Sequence, residues 1–380
     1  MLTRKFEAVI VCACRQSSKV KPMLILTHQE IVDIFSMDLC ITAIEEAYRE
    51  FGQGRGVTSN RTEMFSKRDP QDYARFGRLG PTYYMLRTTG GILPGKKIAA
   101  LRINSHIESS PRKFPVAPGE QYVGLVLLFS IEDCQPLILF PDGWVQRMRV
   151  GGTNALGAKY LAKDEARTMG LIGSGFQAGA LLTAMIQVRP IERVKVFSPT
   201  KDHRQAFATR MEKETGIEVV AVDTVREAMK GSDIVGAATN SATSAFDLDS
   251  LEDGMHICIT RRQEISYEVV SACDLLGTNG DPETNEVPVI SFGDDKDRPE
   301  PFHQKGWWSH PDVWDRMVEL GKDLIPGKIK RESERQKTFF YSTGRGFQFA
   351  AVGAKLYEVA KQSNVGREVP PEWFLQPVPG

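Results

Sequence analysis

The stretch LIGSGFQAGALL (Leu171–Leu182) contains a glycine pattern that decides the fold of the chain. It matches GxGxx(G/A) at Gly173, Gly175 and Ala178. In such a pattern the first glycine permits a sharp turn after a strand, the second lets the backbone approach a pyrophosphate, and the small third residue lets the helix pack closely on the strand. Free N–H groups at the helix start then meet the phosphates. The stretch therefore predicts a dinucleotide-binding turn.

The residues around this turn alternate between strand and helix patterns, which supports the interpretation. Gly216 is placed to end one helix in a left-handed conformation, and Thr224 with Glu227 forms a capping-box pattern that opens another. Nearly continuous apolar runs indicate strands of a parallel sheet covered on both faces. These runs are TMGLIG, RVKVFS, IEVVAV, DIVGAAT, MHICIT and CDLLGT. The second half of the chain is therefore predicted to be an α/β Rossmann-type fold with a doubly wound parallel sheet.

About 170 residues precede the turn, and they have a different character. Most of their apolar runs predict antiparallel strands, including YYMLR, KKIAALRI, YVGLVLLFSI, QPLILF and WVQRMRV, whereas TNALGAKYLA predicts a helix. A final helix is predicted from Phe347 to about Gln362. We expect a poorly ordered extension at 1–22, a mixed α+β substrate-binding and dimerisation domain at 23–149 and 325–380, and the NAD(P)-binding Rossmann domain at 150–324.

Composition excludes several classes of function. The 380 residues include 48 basic and 48 acidic side chains, so no overall charge attracts nucleic acid or an anionic membrane. No apolar run reaches the roughly 20 residues that span a bilayer. The six cysteines are scattered without a paired CxxC set, which predicts reduced thiols in a cytoplasmic protein and no metal site.

The end of the second Rossmann strand should select the cofactor. NAD sites place an acidic residue there to bind the ribose hydroxyls, whereas this chain has Ser198 followed by cations. A hydroxyl and cations suit the 2′-phosphate of NADP(H), which we expect to be preferred, although Asp202 could still serve NAD(H). The predicted cofactor-binding residues are Gly173, Ser174, Gly175, Phe176, Gln177, Ser198, Thr200, Lys201, Arg204 and Thr239.

Three cations before the turn are candidates for binding a substrate carboxylate. Arginine holds a carboxylate with two parallel hydrogen bonds and so fixes its orientation. The run MRVGGTNALGAKYLA places Arg149 at the predicted end of a strand, directly before the helix that leads into the cofactor strand. Lys97 begins a predicted strand and Arg61 lies in TSNRTEM.

The order of these pieces resembles the ornithine cyclodeaminase/mu-crystallin family, which also includes some alanine dehydrogenases and ketimine reductases. The resemblance runs from Met23 to about Gly366 and is carried by MLILTHQEI, GKKIAA, RVGGTNALGAKYLA before GLIGSGFQAG, and IPGK with TFFYSTG. It implies that Arg61, Lys97 and Arg149 bind a substrate carboxylate and that Lys97 is the catalytic lysine. It also implies a homodimer built by the first domain and the final helix.

The chain departs from the family pattern in three places. Cyclodeaminases carry an aspartate soon after the strand equivalent to GMHICIT, but here RRQEISYEVV follows at once, and Glu264 is more readily explained as a helix cap. The aspartate usual in the last helix is absent, with Gln348 and Phe349 in that region. Residues 105–121 form an insertion rich in charge.

These departures argue against ornithine cyclisation and favour an NAD(P)-dependent oxidoreductase. Such an enzyme would reduce an imine or keto acid, or oxidise an amino acid, with its substrate held by a carboxylate. One alternative is an ornithine cyclodeaminase-like lyase that deaminates and cyclises an amino acid. Another is a non-catalytic NADPH-binding protein or amine oxidase accessory subunit, since some family members with long insertions carry that label.

Overall fold

A computed structural model describes residues 21–67, 82–109, 123–241, 243–280, 286–290 and 305–376. Most of the predicted extension at 1–22 and residues 110–121 of the insertion lie outside this part of the chain. The described strands are β1 (Met23–Ile25), β2 (Val57–Thr58), β3 (Arg61–Lys67), β4 (Thr82–Leu93), β5 (Ile98–Ser109), β6 (Val123–Ser130), β7 (Pro136–Pro141), β8 (Thr168–Ile172), β9 (Arg193–Phe197), β10 (Glu218–Ala221), β11 (Ile234–Ala237), β12 (His256–Ile259), β13 (Leu275–Thr278), β14 (Glu286–Ile290), β15 (Met317–Glu319), β16 (Thr338–Tyr341) and β17 (Arg367–Val369). The described α-helices are α1 (His28–Ile34), α2 (Met37–Gly52), α3 (Gly143–Leu161), α4 (Phe176–Val188), α5 (Lys201–Thr215), α6 (Val225–Met229), α7 (Tyr267–Ser271), α8 (Pro311–Asp315) and α9 (Gly346–Ser363). None of these helices is both long and apolar enough to cross a bilayer.

The strands form two sheets. The first follows the order β14-β3-β4-β5-β6-β7-β1-β17, with β2 added beside β4, and the pairs from β3 to β7 are antiparallel. Successive side chains alternate between its faces. The inner face packs on α2 and α9 through residues such as Val126, Leu128 and Phe140, all fully buried. The outer face keeps large apolar side chains exposed at Met64, Tyr84, Leu101, Val123 and Leu125.

The second sheet confirms the predicted Rossmann-type fold. Its order is β10-β9-β8-β11-β12-β16-β13-β15, and every pair is parallel. Alternate residues of its strands enter two separate apolar cores, one shared with α3, α4 and α5 and the other with α6 and α7. Gly216 ends α5 at a φ of 72°, and Thr224 with Glu227 forms the capping box of α6, both as predicted.

One predicted strand is wrong, and the error concerns a site residue. WVQRMRV lies inside the 19-residue helix α3, so Arg149 is a helix residue and does not end a strand. Within α3 the residues Val145, Met148, Arg149 and Gly152 are buried. That spacing of i, i+3, i+4 and i+7 is the helical period, which a short run with alternating polarity can hide.

The predicted domain division does not follow the two sheets everywhere. Strand β16 pairs with β12 and β13 in the second sheet, although 325–380 was assigned to the first domain. Strand β14 pairs with β3 in the first sheet, although it falls inside 150–324. After residue 285 the chain adds β14 to the first sheet, β15 and β16 to the second, and then β17 to the first again, so the two units are interleaved at this end of the sequence. The division near Arg149 remains a prediction.

Helix α3 connects β7 of the first sheet to β8 of the second, and it packs closely on elements of the second sheet. A side chain at Gly151 would collide with the backbone of Ala180 in α4, and one at Gly157 would collide with the ring of Phe340 in β16. Its C-terminal carbonyls are satisfied by arginines. Arg189 donates to the carbonyls of Lys159 and Ala162, and Arg331 to that of Leu161. Cations at a helix C-terminus also interact favourably with its dipole.

A buried histidine fastens β12 to β16. Nδ1 of His256 lies 2.8 Å from Oγ1 of Thr338, and the Thr338 hydroxyl donates to the carbonyl of Leu161 at 3.1 Å. Because that hydroxyl proton is already used, the Thr338 oxygen accepts a hydrogen bond from Nδ1–H. Burial, with further contributions from Arg331 and Arg189, lowers the pKa of His256 to about 3.

We therefore expect His256 to make the protein sensitive to acid. In the unfolded chain a histidine takes up a proton near pH 6.5, whereas folded His256 stays neutral down to about 3. Its contribution is present above pH 6.5 and is lost as the pH falls towards 3. Between pH 7 and pH 5 the free energy of unfolding should drop by about 2 kcal/mol more in the wild type than in His256→Leu. Urea denaturation at the two pH values would measure this, and an equal drop in both proteins would contradict it.

Candidate functional site

The glycine turn lies at the centre of the second sheet. Strand β8 has β9 on one side and β11 on the other, so the strand order reverses there and leaves a crevice at the carboxyl edge. Gly173 has a φ of 113°, and a side chain on it would clash with the carbonyl oxygen of Ala238. Gly175 caps α4, with no heavy atom within 4 Å of the position that its side chain would take. The turn is thus open in front of the N-terminus of α4.

The other predicted residues of the turn lie around this opening. Ser174 is bonded through its Oγ to Oγ of Ser198 at 2.9 Å, which links the turn to the end of β9. Phe176 is the first residue of α4, and its ring is exposed. The Gln177 amide donates to Oε1 of Gln146 in α3 at 2.9 Å. The first turn of α4 is therefore tied to the helix that carries Arg149.

The end of β9 carries no acidic residue. Ser198 is buried there, Thr200 caps α5, and Lys201 is the first residue of that helix and is exposed. Arg204, which was predicted to bind the cofactor, has partners within the chain. Its side chain is buried, donates to the carbonyl of Ser198 at 3.0 Å and pairs with the Asp223 carboxylate. These bonds hold the guanidinium against the loop after β9. Lys201 is an exposed cation beside that loop.

A buried carboxylate joins the loops that follow β11 and β12. Glu264 accepts hydrogen bonds from the backbone N–H of Thr239 and, at 2.8 Å each, from those of Thr260 and Arg261. Burial raises its pKa, and the bonds from these N–H groups act in the opposite direction. The predicted capping role of Glu264 is confirmed by this geometry. Thr239 is therefore held at the crevice by its backbone, and Glu264 is fully occupied.

Arg61 and Arg149 meet at one point of the cleft between the sheets. Arg61 opens β3, Arg149 lies in α3, and Gly344 follows β16. A Cβ on Gly344 would lie 2.9 Å from Nη2 of Arg61 and 3.1 Å from both Nη atoms of Arg149. Three distant segments thus bring two guanidinium groups together, and only a glycine fits beside them.

Arg149 is a buried cation without a carboxylate partner in the described part of the chain. Its exposure is 6%, its Nη1 donates to Oε1 of Gln348 at 3.3 Å, and its Cζ lies 5.2 Å from the centre of the Phe349 ring. Burial, together with the charges of Arg102 and Arg61, lowers the pKa of Arg149 to about 9. An anion bound here would relieve both effects. The pair is therefore suited to a carboxylate, which two arginines can bind with several charge-assisted hydrogen bonds.

Lys97 does not join this pair. It stands in a left-handed conformation just before β5, with its side chain 62% exposed and Nζ 2.5 Å from the Glu132 carboxylate. The cation of β5 that approaches Arg149 is Arg102, roughly 16 Å further along the strand at about 3.3 Å per residue. The predicted catalytic role of Lys97 is therefore not supported by its position.

Sequence reasoning missed Arg102 and the polar side chains behind Arg149. Arg102 shares the buried face of β5 with Ile98 and Ala100, pairs with the Asp142 carboxylate and lies 5.0 Å above the Phe349 ring. The sequence contained a signal for Arg102, because the alternation of β5 predicts an apolar side chain at that position. The phenol of Tyr48 and the amide of Asn279, 2.6 Å apart, gave no such signal because 231 positions separate them in sequence.

The loop after β12 is short, and aromatic residues cover it. The indole N–H of Trp307 donates to the carbonyl of Arg262 at 2.9 Å, and the Arg262 guanidinium lies 4.7 Å above the Trp308 ring. Trp307 itself is fully buried against Phe339 and Tyr341. The carboxylate of this loop, Glu264, faces backbone N–H groups of this loop and of the loop after β11.

The fold and the site define a Rossmann-type protein with a glycine turn of the dinucleotide-binding kind and a close pair of arginines at the carboxyl edge of its parallel sheet. Sequence comparison confirms the expected resemblance, because the model of the ornithine cyclodeaminase/mu-crystallin family matches residues 21–364. The chain belongs to that family. It is 25% identical over 359 residues to a Delta(1)-pyrroline-2-carboxylate reductase of Bacillus cereus, covering 91% of this chain and 99% of the relative.

Two solved structures share the whole fold. One is the Delta(1)-pyrroline-2-carboxylate reductase of Thermococcus litoralis in complex with NADH and L-proline, with a TM-score of 0.69, 24% identity, and coverage of 91% of this chain and 100% of that one. The other is an archaeal alanine dehydrogenase dimer with bound NAD, with a TM-score of 0.71, 23% identity, and coverage of 92% and 99%. The architecture of two interleaved sheets is therefore common to these proteins.

The arginine pair yields a binding prediction. In Arg149→Ala the carboxylate of a small keto acid such as pyruvate loses its buried partner, at a cost of about 3–5 kcal/mol. Calorimetric titration should then show no measurable pyruvate binding, while the affinity for dinucleotide stays unchanged. Arg210→Ala, on the exposed face of α5, is the matched control. Pyruvate affinity that survives in Arg149→Ala would place the carboxylate site elsewhere.

Proposed function

We propose that the protein is an NAD(P)-dependent oxidoreductase that reduces a small imino or keto acid, or oxidises the corresponding amino acid. The observation that carries this proposal is the convergence of Arg61 and Arg149 on Gly344, at the carboxyl edge of the sheet that holds the glycine turn. A substrate anchored there by its carboxylate presents the adjacent carbon to the crevice. The relative from Bacillus cereus, which is similar over nearly its whole length, is named as a reductase of such a cyclic imino acid.

The residues at the crevice fit a nicotinamide dinucleotide. Gly173 and Gly175 leave room for a pyrophosphate, and the first N–H groups of α4 have no side-chain cap. The bound cofactor would supply or accept a hydride. The chain would hold the pyrophosphate at this turn, the ribose near Ser198, and the substrate carboxylate between the two arginines.

Imine reduction requires few other side chains of the protein. A protonated cyclic imine needs only a hydride, so no proton donor at the position of Lys97 is required. Fixing the carboxylate orients the neighbouring carbon, and such orientation supplies a large part of the rate enhancement in a reaction between two bound molecules. The two guanidinium groups therefore provide what this reaction needs from side chains.

Among the described residues, the loop after β12 offers the cyclodeaminase alternative no free carboxylate for its second step. Cyclisation requires a base or acceptor for the second amine of the substrate, and Glu264 is the carboxylate of the loop after β12. Its oxygens already accept three backbone N–H bonds and the Thr260 hydroxyl. A group so fully bonded is not available to a substrate amine, and this favours simple reduction.

The reaction class can be tested with one set of assays. Purified protein should oxidise NADPH in stoichiometric amounts with Δ1-pyrroline-2-carboxylate or with a 2-keto acid plus an amine, read at 340 nm. L-ornithine with catalytic NAD should yield little or no proline. Proline formation without net change in cofactor would establish the cyclodeaminase alternative. Tight NADPH binding without turnover across the screen would instead favour the accessory subunit.

Among the two cofactors, we propose that NADP(H) is preferred. Ser198 stands where an NAD site would place a carboxylate, and its Oγ is bonded to Ser174. The exposed Lys201 at the start of α5 is placed to meet a 2′-phosphate, helped by the N-terminal dipole of that helix.

Replacing Ser198 with aspartate should reverse this preference, because a carboxylate repels the 2′-phosphate and accepts the ribose hydroxyls of NADH. Fluorescence titration should show tighter NADPH binding in the wild type and a shift of about tenfold or more towards NADH in Ser198→Asp. The affinity for the imino acid at saturating cofactor serves as the control. Tighter NADH binding by the wild type would point to Asp202 as the ribose ligand.

We also propose that the protein is a homodimer joined through the outer face of the first sheet. Alternate residues of β3 to β6 leave Met64, Tyr84, Leu101, Val123 and Leu125 about 40% exposed side by side. A contiguous apolar surface of this kind marks an interface in proteins that are not membrane-bound. The archaeal alanine dehydrogenase of similar fold is described as a dimer.

The double substitution Leu101→Glu with Leu125→Glu should therefore yield monomers, since it buries two like charges in the proposed interface. The two positions lie on neighbouring strands, where Ile103 faces Leu125. Sedimentation velocity at micromolar concentration would measure the change. Leu248→Glu, which alters an equally exposed leucine outside this face, should leave the dimer intact. A monomeric wild type would contradict the proposal.

A further inference from the structure

Gln348 is the residue that holds the Arg149 guanidinium. It lies in the first turn of α9, is fully buried, and uses each atom of its amide. Oε1 accepts from Nη1 of Arg149 at 3.3 Å and from the backbone N–H of Arg345 at 2.9 Å. Because the partners of this atom can only donate, the oxygen must face Arg149 and the nitrogen must face the other way.

The nitrogen of the same amide is bound just as firmly. Nε2 donates to the Tyr48 hydroxyl and to Oγ1 of Thr153, at 2.8 Å each. The Thr153 hydroxyl donates to the carbonyl of Arg149 at 2.7 Å, and the Tyr48 oxygen also accepts from Nδ2 of Asn279 at 2.6 Å. Gln348 therefore joins α2, α3, α9 and the end of β13, and it cannot rotate without breaking several buried hydrogen bonds.

The surroundings of Arg149 on α9 carry no charge of their own. Gln348 offers a neutral amide, and the next residue, Phe349, offers the face of a ring that lies 5.2 Å from Arg149 and 5.0 Å from Arg102. A ring face attracts a cation without neutralising it. A carboxylate at either position would form an ion pair with Arg149 and would compete with a bound anion.

We propose that Gln348 is a positioning residue, which orients the Arg149 guanidinium while leaving its charge for the substrate carboxylate. The inference rests on the proposed function, because it takes the anion that binds Arg149 to be the carboxylate of an imino or keto acid. Gln348 thus influences substrate affinity through Arg149, without touching a substrate atom. Its effect must therefore appear in substrate binding and not in cofactor binding.

Gln348→Glu tests this directly, since it keeps the shape of the side chain and adds a negative charge beside Arg149. We expect KM for Δ1-pyrroline-2-carboxylate to rise about tenfold or more, with kcat within about twofold of the wild type. The dissociation constant of L-proline, measured by calorimetry in the presence of oxidised cofactor, should rise in parallel. The NADPH dissociation constant should stay within about twofold. If Gln348→Glu is unstable, Gln348→Met replaces it, since it removes the hydrogen bonds without adding charge. It should likewise weaken substrate binding and leave NADPH binding unchanged.

Gln135→Glu is the matched control, because Gln135 is also a buried amide but lies before β7 and accepts a hydrogen bond from the backbone of Lys21. Its KM should equal that of the wild type. A folded Gln348→Glu with wild-type KM would overturn the inference, as would equal losses of substrate and cofactor affinity. A wild type that binds L-proline without turnover would refute the proposed function alone, and the L-proline constants would still decide the role of Gln348. A wild type that neither reduces imino acids nor binds L-proline would overturn both.

Discussion

The buried charge of Arg149 is the constraint on which the arrangement of the site depends. Moving a guanidinium out of water costs several kcal/mol unless hydrogen bonds or an opposite charge compensate for it. The described part of the chain supplies an amide oxygen from Gln348 and the ring of Phe349, but no carboxylate. Among the nearby charges, Arg102 and Arg61 add repulsion, and the smaller contribution of the Asp142 carboxylate acts in the opposite direction. The fold therefore maintains an unneutralised cation at a fixed point, and such a site is stabilised by whatever anion it binds.

Holding that point requires helix α3 to be placed accurately between the sheets. Gly151 and Gly157 allow α4 and β16 to approach its backbone, and Arg189 with Arg331 satisfies its last carbonyls. After a loop at 162–167 the chain enters β8 and the glycine turn. Arg149 and the glycine turn thus lie on consecutive elements, and the bond between Gln177 of α4 and Gln146 of α3 links the two a second time.

Local requirements could be predicted from the sequence, and long-range ones only in part. The turn was recognisable because a φ of 113° and a close carbonyl at Gly173 exclude other residues. Arg61 and Arg149 were suggested by the family resemblance, yet their meeting at Gly344 depends on three segments far apart in the chain. The role of Lys97 was suggested by the family resemblance, and its exposed position before β5 does not support that role. The ion pair of Arg204 could not be predicted because its partner, Asp223, follows a different strand. The network of Tyr48, Asn279 and Gln348 arises from packing alone.

The distribution of carboxylates around the cleft bears on the kind of chemistry that the site can support. Three carboxylates among the described residues have partners within the protein: Asp142 binds Arg102, Glu63 binds Arg87 at 2.6 Å and lies 4.0 Å from Arg61, and Glu264 is bonded to backbone N–H groups. A reaction that must accept a proton from a second amine would need one of them free. A reaction that needs only an oriented carboxylate and a hydride does not. Arg149, which has no carboxylate partner in the described part of the chain, fits the second requirement.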